Sequence, residues 1–220
     1  HITMGEGGAI LMDKIKLGRI CESYRDWGRD CYCKPGKDNT CENRFGWQQG
    51  ELPKGYDHKY TYSHLGYNLK VSDMQAALGV SQLDKLNYFI KRRNENFDGL
   101  TNRIKAAGLD EFLHLPEATP NSKPSWFGYL LTLRDNAGFN RTEVVKSLEN
   151  NKVGTRLLFG GNLLRQPAFM GQETRTFGSL ENTDKVMHDS FWIGLWPGIN
   201  DEMLDYMVKI LADVLKRELR

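Results

Sequence analysis

The sequence predicts a mixed α/β protein in two parts. From Trp126 onward, short apolar runs that suit strands alternate with helical patterns. A long helical pattern precedes them, from Ser72 to about Ala107. Before Ser72, the chain is mainly a loop rich in Gly, Pro, Asn and Asp. We therefore divide the chain into a loop-rich part, 1–71, and a part made of the long helix and a small α+β domain, 72–220.

Composition argues against two classes of partner. A chain of 220 residues is long enough to bury a core, as one large domain or two small ones. Its charges nearly balance, at a net +2, whereas a nucleic-acid or membrane-surface protein would need a concentrated basic field. No apolar run approaches the roughly 20 residues of a membrane span, and no signal peptide opens the chain. We expect a cytoplasmic protein without nucleic-acid or membrane partners.

The first residues indicate that this sequence continues a longer one. It opens at His1 without an initiator methionine, and a turn at Gly7-Gly8 runs into a short apolar stretch. That stretch, Ala9–Leu11, should be a strand, and a helix should follow from Asp13 to about Ser23. We therefore expect the chain to begin inside a structural element of its parent protein.

A long loop should follow, from Trp27 to about Tyr67. Turn signals such as Pro35-Gly36 recur in it, and no hydrophobic period holds. A loop of this length in a compact domain is usually functional or disordered. Its many aromatic side chains can bury large areas, which favours an ordered, functional loop.

The long helical pattern has well-defined ends. Ser72 is a good N-cap, and Gln75 stands at the capping-box position three residues later. Apolar residues then keep a helical spacing as far as Phe97, and a break is expected near Gly99. Gly108 is suited to ending the helix in a left-handed conformation.

The remaining chain predicts an alternation of strands and helices. The strands are Trp126–Leu133, Val153–Phe159 and Phe191–Leu195. Asn140, with Glu143 three residues later, should cap one helix, and a short helix is expected near Asp184–His188. Asn200 should cap the C-terminal helix, whose apolar stripe from Leu204 to Leu215 is a core face.

The sharpest local feature is a cluster of cysteines in the loop: Cys31, Cys33 and Cys41. Thiolates are soft ligands that suit zinc or an iron–sulfur cluster, and both normally have four ligands. In a reducing cytosol, clustered cysteines more often bind metal or act in catalysis than form disulfides. The candidates for a fourth ligand are Cys21, His58, His64 and a residue outside this sequence.

Two further segments could bind a phosphate group. Ser63–Asn68 carries several polar groups just before a helix N-terminus, where backbone donors suit an anion. Arg156 and Arg165 flank the break Gly160–Asn162, and two guanidinium groups can hold a phosphate bidentately. Taken alone, a structural turn explains the first segment better, and ordinary surface arginines explain the second equally well.

The assembled motifs resemble a known family. Gly5–Gly8 after His1, and the run Gly66–Ala77, resemble the DegT/StrS-type nucleotide-sugar aminotransferases. These have the aspartate-aminotransferase-type fold (fold type I) of pyridoxal-phosphate-dependent transferases. The segments that resemble one branch, the CDP-4-keto-6-deoxyglucose 3-dehydrases, are Arg25–Cys33, Cys41, Arg44–Trp47, Tyr56–Tyr60 and Gly154–Leu163. The resemblance covers nearly the whole chain, which matches the C-terminal half of a family member.

This resemblance implies two prosthetic groups. Members of the branch bind pyridoxamine 5'-phosphate (PLP/PMP) non-covalently, because histidine replaces the lysine that would hold it covalently. They also carry a [2Fe-2S] cluster on four cysteines. Cys31, Cys33 and Cys41 match the last three, and the first lies upstream of this sequence. His1 matches the second of two successive histidines, so the catalytic base is His1 or the histidine before it.

The resemblance also implies partners and a reaction. Asn68 matches the asparagine that reaches the cofactor phosphate of the neighbouring subunit, which implies a homodimer with shared active sites. Arg156 and Arg165 are the candidates for binding the diphosphate of the CDP-sugar substrate. The sugar would lose its C3 hydroxyl in 3,6-dideoxyhexose biosynthesis for lipopolysaccharide O-antigen. The reduction takes two electrons delivered singly, which implies an NADH-dependent flavin iron–sulfur reductase as partner.

Two other functions remain open. A PLP-dependent sugar aminotransferase of the same fold would need a lysine in the slot near His1, and it would have no use for the cysteines. A non-catalytic interaction module with a zinc-stabilised loop would bind zinc instead of iron. Under the dehydrase hypothesis, this stretch of chain is expected to be inactive by itself.

Overall fold

The computed structural model describes residues 1–135 and 137–216. The chain forms two compact units. Residues 2–84 make up the N-terminal unit, and His1 groups with the chain from Lys85 onward in the C-terminal unit. The observed division lies after Asp84 instead of after residue 71, because the helix that begins behind Ser72 groups with the N-terminal unit.

The described residues contain six helices and four strands, with helices in both units and strands in the C-terminal unit. The helices are α1 (Ile15–Arg25), α2 (Asp73–Leu83), α3 (Leu86–Ala106), α4 (Arg141–Asn150), α5 (Glu181–Asp189) and α6 (Asp201–Leu215). The strands are β1 (Leu113–His114), β2 (Gly128–Leu133), β3 (Thr155–Arg156) and β4 (Ser190–Gly194). Short 3₁₀ turns lie at His58–Tyr60, Leu109–Glu111 and Leu163–Arg165. In the part of the chain that the structure describes, none of the helices has both the length and the apolarity that crossing a bilayer requires.

The C-terminal unit is built on a four-stranded antiparallel sheet in the order β1-β2-β4-β3. Strands β2 and β4 form its centre, with Leu130 opposite Trp192. Alternate residues of β2 are buried, as expected of a strand with one face on the core. Helix α6 packs against α3 and α4. The core residues contributed by these elements include Leu100, Leu131, Leu148, Phe191, Ile193 and Leu211.

The predicted helix caps are confirmed. The Asn140 side chain accepts a hydrogen bond from the Glu143 amide at 3.0 Å, and the Glu143 carboxylate accepts one from the Asn140 amide at 3.2 Å. Ser72 and Gln75 form the equivalent box at the start of α2. Each box gives partners to amides that the first helical turn leaves unpaired, so these helices begin where the sequence predicts.

The break in the long helical pattern lies at Asp84-Lys85, so the prediction of a break near Gly99 was wrong. Gly99 lies inside α3, where a Cβ atom would come within 3.2 Å of the Leu204 side chain. This glycine therefore allows α6 to approach α3 closely. Gly108 follows the end of α3 with a φ of 64°, in the left-handed conformation that was predicted.

One predicted strand is absent and another is much shorter in the structure. Residues 9–11 form no strand; Ile10 and Leu11 are exposed, and no pairing strand lies beside them within the described residues. The second strand is limited to Thr155–Arg156. The Glu149 carboxylate accepts hydrogen bonds from the Thr155 amide and hydroxyl at 2.6 and 2.7 Å, and the chain turns at Phe159, whose φ is 48°.

Backbone contacts join the two ends of the long loop in the N-terminal unit. Asp26 pairs with Asn68, and Arg29 pairs with Tyr62, as isolated antiparallel bridges. Gly28 lies at the closest approach, because a Cβ atom there would be 1.8 Å from the His64 carbonyl oxygen. The loop is therefore irregular but closely packed at this point, which places the cysteine segment that follows.

Candidate functional site

The three loop cysteines line one small cavity in the N-terminal unit. Two tight turns fold the segment between them, closed by Lys37 N–H to the Lys34 carbonyl and by Glu42 N–H to the Asn39 carbonyl, each at 3.0 Å. The cysteines of this cavity are Cys31, Cys33 and Cys41. All three thiols are free and partly buried. The structure thus brings together the three residues that the sequence singled out as ligands.

The thiols of this cavity have different electrostatic environments. Burial raises the pKa of Cys31, and the neighbouring thiols of Cys33 and Cys41 add to the increase. A hydrogen bond from the Thr40 side chain, together with backbone amides, lowers the pKa of Cys33 to about 7. Thiolates are the form that binds metal, and the surroundings of Cys33 favour that form more than the surroundings of Cys31 do.

The candidates for a fourth ligand differ in whether they line the cavity. Cys21 lies on α1 and is not among the residues that line the cavity. His64 contacts the hydroxyls of Ser23 and Ser63 at 3.3 and 3.2 Å and likewise does not line it. His58 does line the cavity. Of the three candidates within this chain, only His58 is therefore placed beside the cysteines.

His58 is one of the few buried polar residues of the N-terminal unit. Its side chain is 2% exposed, and its Nε2 lies 2.5 Å from Oδ2 of Asp30. Gln49 donates a second hydrogen bond to the same carboxylate oxygen at 2.7 Å. The ring packs against Trp47, with ring centroids 4.9 Å apart. These contacts hold the imidazole in one orientation at the wall of the cavity.

The donor set of the cavity is suited to a soft metal centre. Within residues 1–135 and 137–216, no three His, Cys, Asp or Glu side chains are arranged as ligands of a single ion. A [2Fe-2S] cluster places different demands on its ligands, because its four cysteines are shared between two irons. Three thiols around one cavity are chemically suited to either kind of centre.

Asn68 lies elsewhere in the N-terminal unit, at the exposed bridge to Asp26. Its Oδ1 accepts a hydrogen bond from Lys70 Nζ at 2.7 Å, and Lys70 also pairs with the Asp26 carboxylate at 2.8 Å. An ammonium group can only donate, so this contact fixes which way the amide faces. The Nδ2 group of Asn68 is then the atom that can donate to an anion.

The remaining candidates belong to the C-terminal unit. Arg165 makes a bidentate pair with Asp184, at 2.7 and 2.5 Å. Arg156 instead donates to the Thr155 carbonyl at 2.6 Å, so the two arginines have separate partners. His1 Nε2 contacts the carbonyl and the hydroxyl of Ser125, the carbonyl at 3.1 Å.

Sequence reasoning missed the surroundings of the cysteines. It named His58 as one of several possible ligands, but not its contact with Asp30, and it did not single out Thr40. Asp30 directly precedes Cys31, and Thr40 directly precedes Cys41. Polar residues adjoining cysteines were thus the available signal, although their partners depend on how the loop folds.

Comparisons with known proteins identify a family model and several relatives that resemble this chain. The profile of the DegT/DnrJ/EryC1/StrS aminotransferase family matches residues 1–212. Over 208 residues, the chain is 57% identical to the lipopolysaccharide biosynthesis protein RfbH of Salmonella typhimurium, covering 94% of this chain and 47% of that protein. Over 217 residues, it is 52% identical to the dTDP-4-dehydro-2,6-dideoxy-D-glucose 3-dehydratase of Saccharopolyspora spinosa, covering 99% and 46%. The chain therefore spans about half the length of the curated relatives it matches.

Solved structures give the same fold. The E. coli GDP-4-keto-6-deoxy-D-mannose-3-dehydratase with bound hydrated PLP matches with a TM-score of 0.72 at 20% identity. The match covers 91% of this chain and 49% of that one. The predicted fold class, mixed α/β of the PLP-dependent aminotransferase type, is confirmed.

Proposed function

This chain belongs to the DegT/DnrJ/EryC1/StrS aminotransferase family, and from that premise we propose that the protein is a nucleotide-sugar 3-dehydratase that uses pyridoxamine phosphate and a [2Fe-2S] cluster. The observation that carries the proposal is the meeting of Cys31, Cys33 and Cys41 in one cavity. An aminotransferase of this fold has no use for three convergent thiols. Two relatives whose names describe sugar 3-dehydratases support the same activity.

The reaction we propose replaces the C3 hydroxyl of a 4-keto-6-deoxy sugar by hydrogen. The C3–O bond breaks, the hydroxyl leaves as water, and a C3–H bond forms. Two electrons and two protons are consumed for each sugar. The electrons come from NADH through a flavin iron–sulfur reductase, which passes them on one at a time. A one-electron carrier beside the reaction is therefore needed, and the cysteine cavity is where we place it.

Residues of this chain have distinct roles in that reaction. Cys31, Cys33 and Cys41 hold the cluster together with a fourth cysteine upstream of this sequence. The Asn68 amide, oriented by Lys70, donates to the cofactor phosphate of the neighbouring subunit in a homodimer. A histidine at His1, or directly before it, moves the proton at the cofactor carbon. When bound, pyridoxamine phosphate supplies an electron sink and the cluster supplies single-electron transfer.

The nucleotide of the substrate is part of the proposal. We propose CDP, from the segments that resemble the CDP-sugar branch. Relatives matched by the chain carry dTDP and GDP in their names, so the three nucleotides must be compared. Arg156 and Arg165 are the proposed contacts to the diphosphate; Arg165 would then act beside its Asp184 partner.

Product analysis tests this function. The full gene product, loaded with iron, sulfide and pyridoxamine phosphate under anaerobic conditions, is incubated with CDP-, dTDP- and GDP-4-keto-6-deoxy sugars, NADH and the reductase. We expect a 3-deoxy sugar product and NADH consumption, greatest with the CDP-sugar. The Cys33→Ser variant should lose the reaction, whereas Cys21→Ser should keep it.

Other products would contradict the proposal. An amino sugar formed with glutamate as donor would identify an aminotransferase. Full activity of Cys33→Ser would separate the cysteines from the reaction. A protein that binds zinc at these cysteines and turns over none of the sugars would match the interaction module instead.

A further inference from the structure

The segment before β2 carries a serine that contacts His1. Nε2 of His1 lies 3.1 Å from the Ser125 carbonyl oxygen and also contacts the Ser125 hydroxyl. The two residues are 124 positions apart in the chain, and His1 groups with the C-terminal unit, which contains Ser125. Both residues are partly buried. A histidine that is a candidate for moving a proton is therefore held by both oxygen atoms of one serine.

Helix α3 fixes the backbone on either side of this serine. Asn94 donates from Nδ2 to the Pro124 carbonyl at 3.2 Å. Arg93 donates from Nη1 to the carbonyls of Trp126 and Phe127 at 3.3 and 2.9 Å. Two neighbouring side chains of one helix therefore bind the carbonyl groups before and after position 125, and the carbonyl at that position is left for the histidine.

Packing adds to this support. The Trp126 ring stacks on Phe97 of α3, with ring centroids 4.1 Å apart and planes 4° apart. Phe97 belongs to the buried core of the C-terminal unit. Arg93 also donates to the Leu195 carbonyl at 3.3 Å, which connects the segment to the chain after β4. Ser125 is thus presented from a well-supported part of the fold, as a residue that orients another group needs to be.

The carbonyl contact decides which ring nitrogen of His1 carries the proton. A carbonyl oxygen can only accept a hydrogen bond, so Nε2 is the donor, and the Ser125 hydroxyl oxygen accepts from the same N–H group. The other tautomer would place a lone pair of Nε2 against a lone pair of the carbonyl oxygen, which is unfavourable. In the neutral ring, Nδ1 then keeps its lone pair and is the nitrogen that can accept a proton.

We infer that Ser125 is a positioning residue for His1, which holds the ring through Nε2 and fixes the tautomer whose Nδ1 is basic. The inference rests on the proposed function, in which a histidine at this place moves a proton. It adds to that reaction a residue that lies far from the cysteine motif in sequence. Ser125 acts through the orientation of the histidine and does not itself carry the proton.

Positioning of this kind affects the chemical step more than substrate binding. Without the Ser125 hydroxyl, the Nε2 proton has one acceptor instead of two, so the other tautomer and other ring orientations become more populated. These forms do not present the basic nitrogen in the right place. We therefore expect kcat to fall while KM changes little, because the contact supports the transition state and not the binding of the sugar.

Three substitutions separate this role from a general effect on the segment. Ser125→Ala removes the hydroxyl and keeps the backbone carbonyl. Ser125→Thr keeps a hydroxyl on the same carbon atom. Ser122→Ala is the matched control, because the Ser122 hydroxyl donates to the Thr119 carbonyl at 2.7 Å only three residues earlier in the chain and is exposed.

Nitrogen NMR of the full gene product with ring-labelled histidine, without cofactor, reads the tautomer of His1. The His1 signals are assigned by their loss in His1→Gln. On the same proteins, loaded with iron, sulfide and pyridoxamine phosphate, kcat and KM are measured with the CDP-sugar.

We expect the wild-type protein to carry the proton on Nε2 of His1. Ser125→Ala should increase the share of the other tautomer and lower kcat by about three- to tenfold, with KM changed by less than about twofold. Ser125→Thr and Ser122→Ala should match the wild type in both measurements.

Three results would overturn the inference. The first is a wild-type His1 that carries its proton on Nδ1, and the second is Ser125→Ala with the wild-type tautomer and kcat. The third is an equal loss of kcat in Ser122→Ala, which would assign the effect to the whole segment. A protein that forms no 3-deoxy sugar, but whose His1 tautomer changes in Ser125→Ala, would contradict the proposed function and support the positioning contact.

Discussion

Arg44 donates two hydrogen bonds to Asp57, from Nε to Oδ1 at 2.9 Å and from Nη2 to Oδ2 at 2.6 Å. The pair connects the end of the cysteine segment to the 3₁₀ turn that carries His58. Asp57 also caps that turn by accepting a hydrogen bond from the Lys59 amide at 3.1 Å. Arg44 and His58 both line the cysteine cavity, so this ion pair fixes two parts of its wall relative to each other.

Arg44→Lys should therefore loosen the cysteine cavity, because lysine cannot reproduce the bidentate geometry. We expect the loaded protein to release iron to a chelator about two to five times faster. The matched control is Arg25→Lys, since Arg25 meets its neighbour Asp26 through a single contact at 3.5 Å. Equal release rates for Arg44→Lys and the wild type would show that the pair does not support the site.

Gly28→Ala should destabilise the N-terminal unit strongly. A Cβ atom at Gly28 would lie 1.8 Å from the His64 carbonyl oxygen, and the φ of 84° is unfavourable for alanine. Gly36 is the control, because its φ of 75° is similar but its Cβ position is open. Chemical denaturation should show a loss of about 1–2 kcal/mol for Gly36→Ala and a clearly larger loss for Gly28→Ala. Similar losses for both would mean that conformation alone, without crowding, explains the effect.

Leu211→Ala tests the core of the C-terminal unit. Leu211 is fully buried on α6, so its truncation leaves a cavity and should lower the free energy of unfolding by about 2–5 kcal/mol. Met203, on the same helix, is 47% exposed, and Met203→Ala should cost less than about 1 kcal/mol. Thermal or chemical denaturation measures both. A small effect at Leu211 would contradict the packing of α6 described above.

The Arg165–Asp184 pair should make the segment after Gly160 sensitive to acid. Hydrogen bonds from Arg165 and Asn162 hold the pKa of Asp184 well below its ordinary value of about 3.9. A carboxyl with a lowered pKa stabilises the fold fully above that ordinary value, and the contribution is lost as the pH falls toward the lowered pKa. Asn162 in turn accepts a hydrogen bond from the Leu164 amide at 3.1 Å.

Hydrogen exchange at the Leu164 amide reports this effect. Its protection factor should be constant from pH 7 to about pH 5 and should fall below about pH 4. In Asp184→Asn, protection should be lower at neutral pH and nearly independent of pH. High salt should weaken protection in the wild type, because the pair is partly exposed to solvent. A wild-type protection factor that stays constant down to pH 3 would rule out this role for Asp184.

Periodicity and capping chemistry predicted most of the C-terminal unit. Asn140, Ser72 and Asn200 begin their helices where expected, because capping depends on residues only three positions apart. Contacts between distant residues were not predictable in the same way. Glu149 accepts a hydrogen bond from the Thr155 amide, which limits the length of that strand. Gly99 lies within a helix, where the Leu204 side chain packs closely against it.

In the candidate site, too, features set by nearby residues were predictable and contacts between distant residues were not. The spacing of Cys31, Cys33 and Cys41 predicts that they lie close together, and the loop places them in one cavity. The contact between Asp30 and His58 spans 28 residues of irregular chain, and no local pattern encodes it. The residues that surround a site in such a loop can be recognised only once the turns are in place.

The paramagnetic-resonance spectrum of the anaerobic, dithionite-reduced full gene product tests the central claim most directly. A reduced [2Fe-2S] cluster should give a low-temperature spin-one-half signal. That signal should be lost in Cys31→Ser, Cys33→Ser and Cys41→Ser and retained in Cys21→Ser. A reduced wild-type protein without this signal, or a signal that survives substitution of the three cavity cysteines, would contradict the account.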